Sequence, residues 1–379
     1  MIDPSANPAQ AAGSPRIGLA RPDVGDAEVA AVTDALLSGV LTNGPRTAAF
    51  ESAFAGRHCA SHAVAFASGT VALTAMYLAA SIGPGDEVIV PSLTFVSSAT
   101  SVLHVGARPV FADVDPETFN LDPKDVARRM SPRTKAILAV HYGGQPADMD
   151  ELLDLAHDTG VLLFEDAAEA HGANYRGRPV GGLGHAAMFS FTPTKNITTG
   201  EGGMVTTQDA AFAARLSLLR NHGQTAPYEH ALLGYNWRMT ELQAAMGLVQ
   251  LSKLDAILAR KDANAAHLAS SLATIPGVRP PLTRPDRSHV HMLYTVVVDQ
   301  ERDRVLHGLA DAGIEARVYF PPAHSQPIFA PCNAHLPVTE GLSGRILSLP
   351  FHSMLSEHDL DYIAMTLADL VGSSTRSPR

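Results

Sequence analysis

Between Gly69 and Val205 the chain alternates short, unbroken apolar runs with stretches whose apolar residues return every three to four positions. The unbroken runs predict strands at 87–90, 109–112, 135–140, 161–164, 188–191 and 203–206. The periodic stretches predict helices at 71–80, 95–104 and 149–159, the first closed by Gly83-Pro-Gly85. Strands that lack polar alternation are covered on both faces, and strands that alternate with helices build an open, mainly parallel α/β sheet. Such sheets bind ligands at the carboxyl ends of their strands.

Past Arg238 the pattern changes. A long helix is expected over 240–273, with Leu242, Met246, Leu248, Leu251, Leu254 and Leu258 at helical spacing. A strand at 292–298, a helix at 302–312 and a strand at 314–320 follow. The last helix opens on Ser356-Glu-His-Asp359, a capping box, and runs to about 371. The expected organisation is a tail at 1–14, a large cofactor-binding domain at 15–250 and a smaller α+β domain at 251–379.

Composition adds mainly exclusions. With 379 residues, 46% of them hydrophobic, the chain can bury the cores of about two domains. Its net charge of -10 is spread along the chain, which argues against a nucleic-acid surface. Two cysteines, Cys59 and Cys332, make no disulfide framework and fit a reducing cytoplasm. No apolar run approaches the ~18 residues that span a bilayer. The first fourteen residues, rich in Pro, Ala, Ser and Gly, read as a tail and not as a signal peptide.

The chemistry centres on Lys195. Of the five lysines (Lys124, Lys135, Lys195, Lys253 and Lys261), the other four stand beside charged residues on expected helix ends or loops. Lys195 follows an apolar strand and precedes a glycine-rich turn, with no other charge before Glu201. In a partly dry site a lysine gives up its proton more readily, and the free amine forms a Schiff base with a carbonyl. Asp166 follows the run 161–164, where a carboxylate is placed to keep a pyridinium nitrogen protonated. Glu165 faces the other way if the strand continues. Ala67-Ser-Gly-Thr-Val71 opens a helix, whose free N–H groups and dipole favour a phosphate, and Gly69 allows close approach. Phe95, at the end of another strand, offers a ring to stack on a flat cofactor, and Ser190 a hydroxyl for a phosphate. Read singly, the lysine and the aspartate suit an exposed loop and a turn cap as well, while the Ser-Gly-Thr run and Phe95 suit a helix cap and a core phenylalanine better. The glycines at 181, 182 and 184 do not open a helix after a strand, and no metal-ligand or P-loop spacing is present.

Taken together, the residues resemble the DegT/DnrJ/StrS family of sugar aminotransferases, within the fold type I pyridoxal phosphate enzymes. The likeness spans roughly 17–371. It is carried by Leu41-Thr-Asn-Gly-Pro45, Ser68-Gly-Thr70, Pro91-Ser-Leu-Thr-Phe95, Glu165-Asp-Ala-Ala-Glu-Ala-His-Gly172, 190–203, Gly234-Tyr-Asn-Trp-Arg-Met-Thr240 and Pro321-Pro-Ala-His-Ser-Gln-Pro327, in the family's order. The resemblance implies a large domain around a mainly parallel sheet of the seven-stranded type, plus the smaller C-terminal domain. It implies Lys195 as the Schiff-base lysine and proton carrier, and Asp166 on the ring nitrogen. Phe95 would stack on the ring, with Gly69, Thr70 and Ser190 at the phosphate. Asn236 would reach the phosphate from a partner subunit, making a homodimer with a shared active site. Glu169 stands where many members carry Gln near the ring hydroxyl, a change that perosamine-forming members share. Related sugar dehydratases carry histidine in place of the lysine, so Lys195 favours transamination.

The implied reaction moves the amino group of L-glutamate to a nucleotide-linked 4-keto-6-deoxy sugar of the perosamine type, in the cytoplasm. Arg238, Tyr319 and His324 are candidate substrate contacts, with His222 and His352 as further histidines able to line a sugar pocket. The alternatives are amination at C3 of a keto sugar or on a cyclitol ketone, a dehydratase-like elimination, and a regulatory relative without turnover.

Overall fold

A computed structural model describes residues 16–299 and 301–372, so the tail expected at 1–14 lies outside the described residues. Seven strands form the central sheet: β1 (His62–Phe66), β2 (Glu87–Pro91), β3 (Arg108–Ala112), β4 (Thr134–Val140), β5 (Leu162–Asp166), β6 (Ala186–Ser190) and β7 (Gly203–Thr207). Their order is β1-β7-β6-β5-β4-β2-β3. Only β7 runs against its neighbours; every other pairing is parallel. The expected mainly parallel sheet is therefore present. The edge strand β1, which takes its place through antiparallel pairing with β7, has no counterpart in the sequence reading.

Strand residues alternate between two cores. Ala65, Ile89, Ile137 and Leu163 face one side, where they meet Phe50, Phe54 and the helix Met149–Thr159. Val64, Val88, Val90, Leu138 and Phe164 face the other, covered by the helices Gly69–Ala79 and Ala210–Arg220. The helix expected at 95–104 is shorter, Ser97–His104, with Val96 at its N-cap position. This leaves Phe95 on the loop after β2.

The small unit pairs three antiparallel strands, β8 (Val278–Arg279), β9 (Tyr294–Val298) and β10 (Ile346–Leu349), under the helices Arg302–Asp311 and Glu357–Gly372. Ser356 and Asp359 close the foreseen capping box with backbone bonds of 3.0 and 3.2 Å. The strand expected at 314–320 does not form. Ile314 bridges to Ile17 and Arg317 to Ser348, so the segment is shared between two neighbours and continues neither.

The helix Glu241–Leu272 joins the two units, and Thr240 and Gln243 cap each other at its start. Its Leu254 and Ile257 belong to a sheet core, while Ala265, Leu268 and Leu272 belong to the small unit's core. The expected boundary at 250/251 falls inside this continuous helix. Ile17 packs in the small unit's core, so the chain's first described residues join its last.

Candidate active site

The carboxyl ends of β2, β5 and β6 point to one rim of the sheet, where a cavity of about 530 Å³ opens. Ser68, Gly69, Thr70, Phe95, Asp166, Glu169, Ser190, Lys195 and Tyr319 all line it, so the fold brings together residues up to 251 positions apart.

At one end of the cavity Ser68 caps the helix Gly69–Ala79, its hydroxyl accepting from Val71 N–H. Ala72 N–H takes the Ser68 carbonyl, and the first two N–H groups of the helix, on Gly69 and Thr70, have no helical carbonyl to bond and are open to an anion. Two close approaches keep this end bare. A Cβ on Gly69 would lie 3.0 Å from the Ser190 Cβ, and one on Gly203 would lie 2.5 Å from the Ser68 carbonyl oxygen. Thr70 Oγ1 is 2.8 Å from Ser97 Oγ.

Asp166 ends β5 and is buried. The Ser98 hydroxyl donates to its Oδ2 (2.7 Å) and the Ala168 N–H to its Oδ1 (3.2 Å). Burial pushes this carboxyl above the usual aspartate range, against the pull of those two donors and of Lys195. Glu165 faces the opposite side of the strand, as its place in the alternation requires. There it takes N–H groups from Gly181, Leu183 and Gly184 and meets His141 Nε2 at 3.1 Å. Burial raises its pKa, but His141 and the glycine amides outweigh that and leave it below the ordinary value. The glycines at 181 and 184 thus serve a structural carboxylate.

Lys195 sits five residues beyond β6 with only 11% of its side chain exposed. Its Nζ is 3.4 Å from Glu169 Oε1, while Glu169 Oε2 accepts from Gly143 N–H at 2.7 Å. Burial raises the Glu169 pKa and the Asp166 charge adds to this, opposed by Lys195 and the Gly143 amide. Phe95 stands at the mouth, 56% exposed, edge-on to Phe320 with ring centroids 5.8 Å apart. Tyr319 lines the same mouth, and its carbonyl accepts from the Tyr142 hydroxyl.

Other candidates lie elsewhere. His324 does not line the cavity: its Nδ1 is 2.6 Å from Ser92 Oγ and its Nε2 faces Glu340 at 3.5 Å. Asn236 is exposed, bridged through its backbone to Asn221, and Arg238 donates to Asn221 Oδ1 (2.8 Å); neither lines the cavity within one chain. His222 holds a loop turn at φ 57° away from the cavity, and His352 lines a separate small cleft behind Lys195. Lys261, read from sequence as a surface lysine, is buried. It shares that cleft and donates to Asn196 Oδ1 at 2.7 Å. Its charged neighbours in sequence lie on other faces of the long helix.

Sequence reasoning missed Ser98, which orients Asp166, and Gly143, which orients Glu169. Ser98 carried no signal. Gly143-Gly144 did: both take positive φ, and a Cβ on Gly144 would lie 2.7 Å from the Glu169 carbonyl oxygen.

A lysine amine and a buried acid face one cavity, whose far end is a bare helix start fit for a phosphate. This set suits pyridoxal phosphate, with the helix start for its phosphate, Asp166 for its ring nitrogen and Lys195 for its aldehyde. Fold and site together define a pyridoxal phosphate-dependent aminotransferase of fold type I. The chain belongs to the DegT/DnrJ/EryC1/StrS aminotransferase family, whose profile matches residues 22–368. It is 42% identical over 362 residues to the GDP-perosamine synthase of Caulobacter vibrioides, covering 93% of this chain and 98% of that one. It is 39% identical over 372 residues to the spore coat polysaccharide biosynthesis protein SpsC of Bacillus subtilis, covering 92% and 96%. Among solved structures it resembles S. venezuelae DesV in complex with a ketimine intermediate, with a TM-score of 0.87 and 39% identity over 93% of this chain and 95% of that one.

Proposed function

We propose that this aminotransferase carries an amino group from L-glutamate to a nucleotide-linked 4-keto-6-deoxy sugar, giving a perosamine-type 4-amino sugar. The observation that carries the reading is the pairing of Lys195 and Asp166 in one cavity, in a chain 42% identical to a GDP-perosamine synthase. Bound pyridoxal phosphate supplies an aldehyde carbon and an electron-accepting ring. The chain's own residues supply the rest. Asp166, held by Ser98 and Ala168, stabilises positive charge at the ring nitrogen. Lys195 Nζ is the mobile base that takes a proton from one carbon and returns it to another. Phe95, Tyr319 and Phe320 narrow the mouth and keep water from the reacting carbons.

The same reading includes a homodimer with a shared site. Its support is a set of exposed apolar side chains: Leu36, Leu37, Leu41 and Leu233 are all exposed on the single chain, and Leu233 is three residues from the exposed Asn236. A partner covering these side chains would bring its Asn236 and Arg238 towards the other cavity.

The test is a panel of nucleotide-linked keto sugars incubated with glutamate, read as 2-oxoglutarate formed and as the mass of the amino sugar. A 4-keto-6-deoxy sugar should turn over, and Lys195→Ala should abolish both signals. Absence of 2-oxoglutarate with every 4-keto sugar would overturn the substrate assignment.

A further inference from the structure

Glu169 has one cationic neighbour. Lys195 Nζ at 3.4 Å is its sole ion-pair partner within 4.0 Å among the described residues. The Gly143 N–H fixes Oε2, so the carboxyl plane is set with Oε1 turned to Lys195. The remaining titratable groups facing it are Asp166 from the end of β5, Tyr142 from the loop after β4, and Tyr319 from the small unit. None of these is positive, and the cavity's other lining cation, Arg317, is paired with Glu315 at 2.8 Å. Glu169 itself is 5% exposed, so little water reaches it in place of a lost partner.

The group that balances Glu169 is also the group that must change. An ammonium has no lone pair, so Lys195 has to shed one proton before Nζ bonds to the aldehyde carbon. The remaining two N–H protons then leave with the aldehyde oxygen as water. From that point Glu169 would be a buried carboxylate beside a second acid, with one N–H donor and no counter-ion. A buried charge left in that position is neutralised by a proton more readily than it is tolerated.

We propose that Glu169 is a carboxylic acid, not a carboxylate, while Lys195 is bonded to the cofactor, and that it holds the proton Lys195 gives up. Charge balances within the pair: a cation and an anion become a neutral bonded nitrogen and a neutral acid, and no ion has to cross the cavity mouth. Oε1 then presents an O–H donor to the cavity where a carboxylate would present only lone pairs. This inference rests on pyridoxal phosphate binding at Lys195.

The test is an infrared difference spectrum, cofactor-loaded minus cofactor-free, with uptake followed separately by cofactor absorbance. The wild-type protein should gain the carbonyl band of a protonated carboxylic acid. Glu169→Gln, which keeps an acceptor for Gly143 N–H, should take up the cofactor without gaining that band. Wild-type protein made in a cell-free system with carboxyl-13C glutamate should show the band displaced, which assigns it to a glutamate even if the variant folds poorly. Uptake with no band, or a band that survives in Glu169→Gln, overturns the proton assignment alone. A wild-type protein that takes up no pyridoxal phosphate overturns the occupancy it depends on as well.

Discussion

Replacing Lys261 by methionine should stabilise the apo-protein, and by an amount that shrinks as pH rises. Lys261 is 4% exposed, bonds only to Asn196 Oδ1 and has no carboxylate counter-ion among the described residues; burial alone lowers its pKa from 10.5 to about 7. A depressed lysine pKa means the unfolded chain binds a proton that the folded chain refuses. Its full stability is therefore present above the unfolded value and is lost as pH falls towards 7. At ~1.4 kcal/mol per pKa unit the cost near pH 7 is about 5 kcal/mol. Methionine keeps the apolar stem but leaves Asn196 Oδ1 without its donor, worth about 1–3 kcal/mol. The expected net gain is thus about 2–4 kcal/mol at pH 7, or roughly 3–6 °C in thermal midpoint for a chain of this size. At pH 9 the lysine penalty falls to about 2 kcal/mol and the gain should nearly vanish. Urea unfolding followed by circular dichroism at both pH values measures it. A gain equal at pH 7 and 9, or a loss at pH 7, would show that Lys261 has a counter-ion in solution and refute the argument.

Asp166→Asn should leave apo-protein stability unchanged or slightly higher, because an amide oxygen still accepts from Ala168 and a buried charge is removed. Turnover should nonetheless fall by about 100- to 1,000-fold, as when a preorganised charge at a reacting centre is lost; steady-state kinetics beside the unfolding midpoint decide it. Gly203→Ala places a Cβ 2.5 Å from the Ser68 carbonyl oxygen and 2.9 Å from Gly69 N, so it should cost about 1–3 kcal/mol and weaken pyridoxal phosphate binding. A variant with native cofactor affinity by titration would contradict the phosphate role of that helix start. Acid should destabilise the protein early: His58 is buried and its pKa is lowered from 6.5 to about 4, so its contribution is present above 6.5 and is lost as pH falls towards 4. At pH 5 that ring alone costs about 2 kcal/mol, and burial lowers His289, His291 and His352 in the same direction. A stability curve flat between pH 6.5 and 4.5 would rule this out.

The alternation of apolar runs and helical stretches by itself determined the order of elements from β2 to β7 and the caps of two helices. It also placed Lys195 and Asp166 beyond strand ends and Gly69 at a helix start. That much is local, because a strand covered on both faces must be apolar throughout and its carboxyl end must leave the sheet at a fixed side. The tertiary structure decided which distant groups meet. It joined Ser98 to Asp166 across 68 positions and turned Oε1 of Glu169 to Lys195. It drew Lys261 under the small unit, pointed His324 at Ser92, and split 314–320 between two partners. None of these is written in spacing, because each depends on how helices and the small unit pack over the sheet. Hydrogen-bond partners and burial belong to the packing of the whole chain; periodicity reports only which face of its own element a residue occupies.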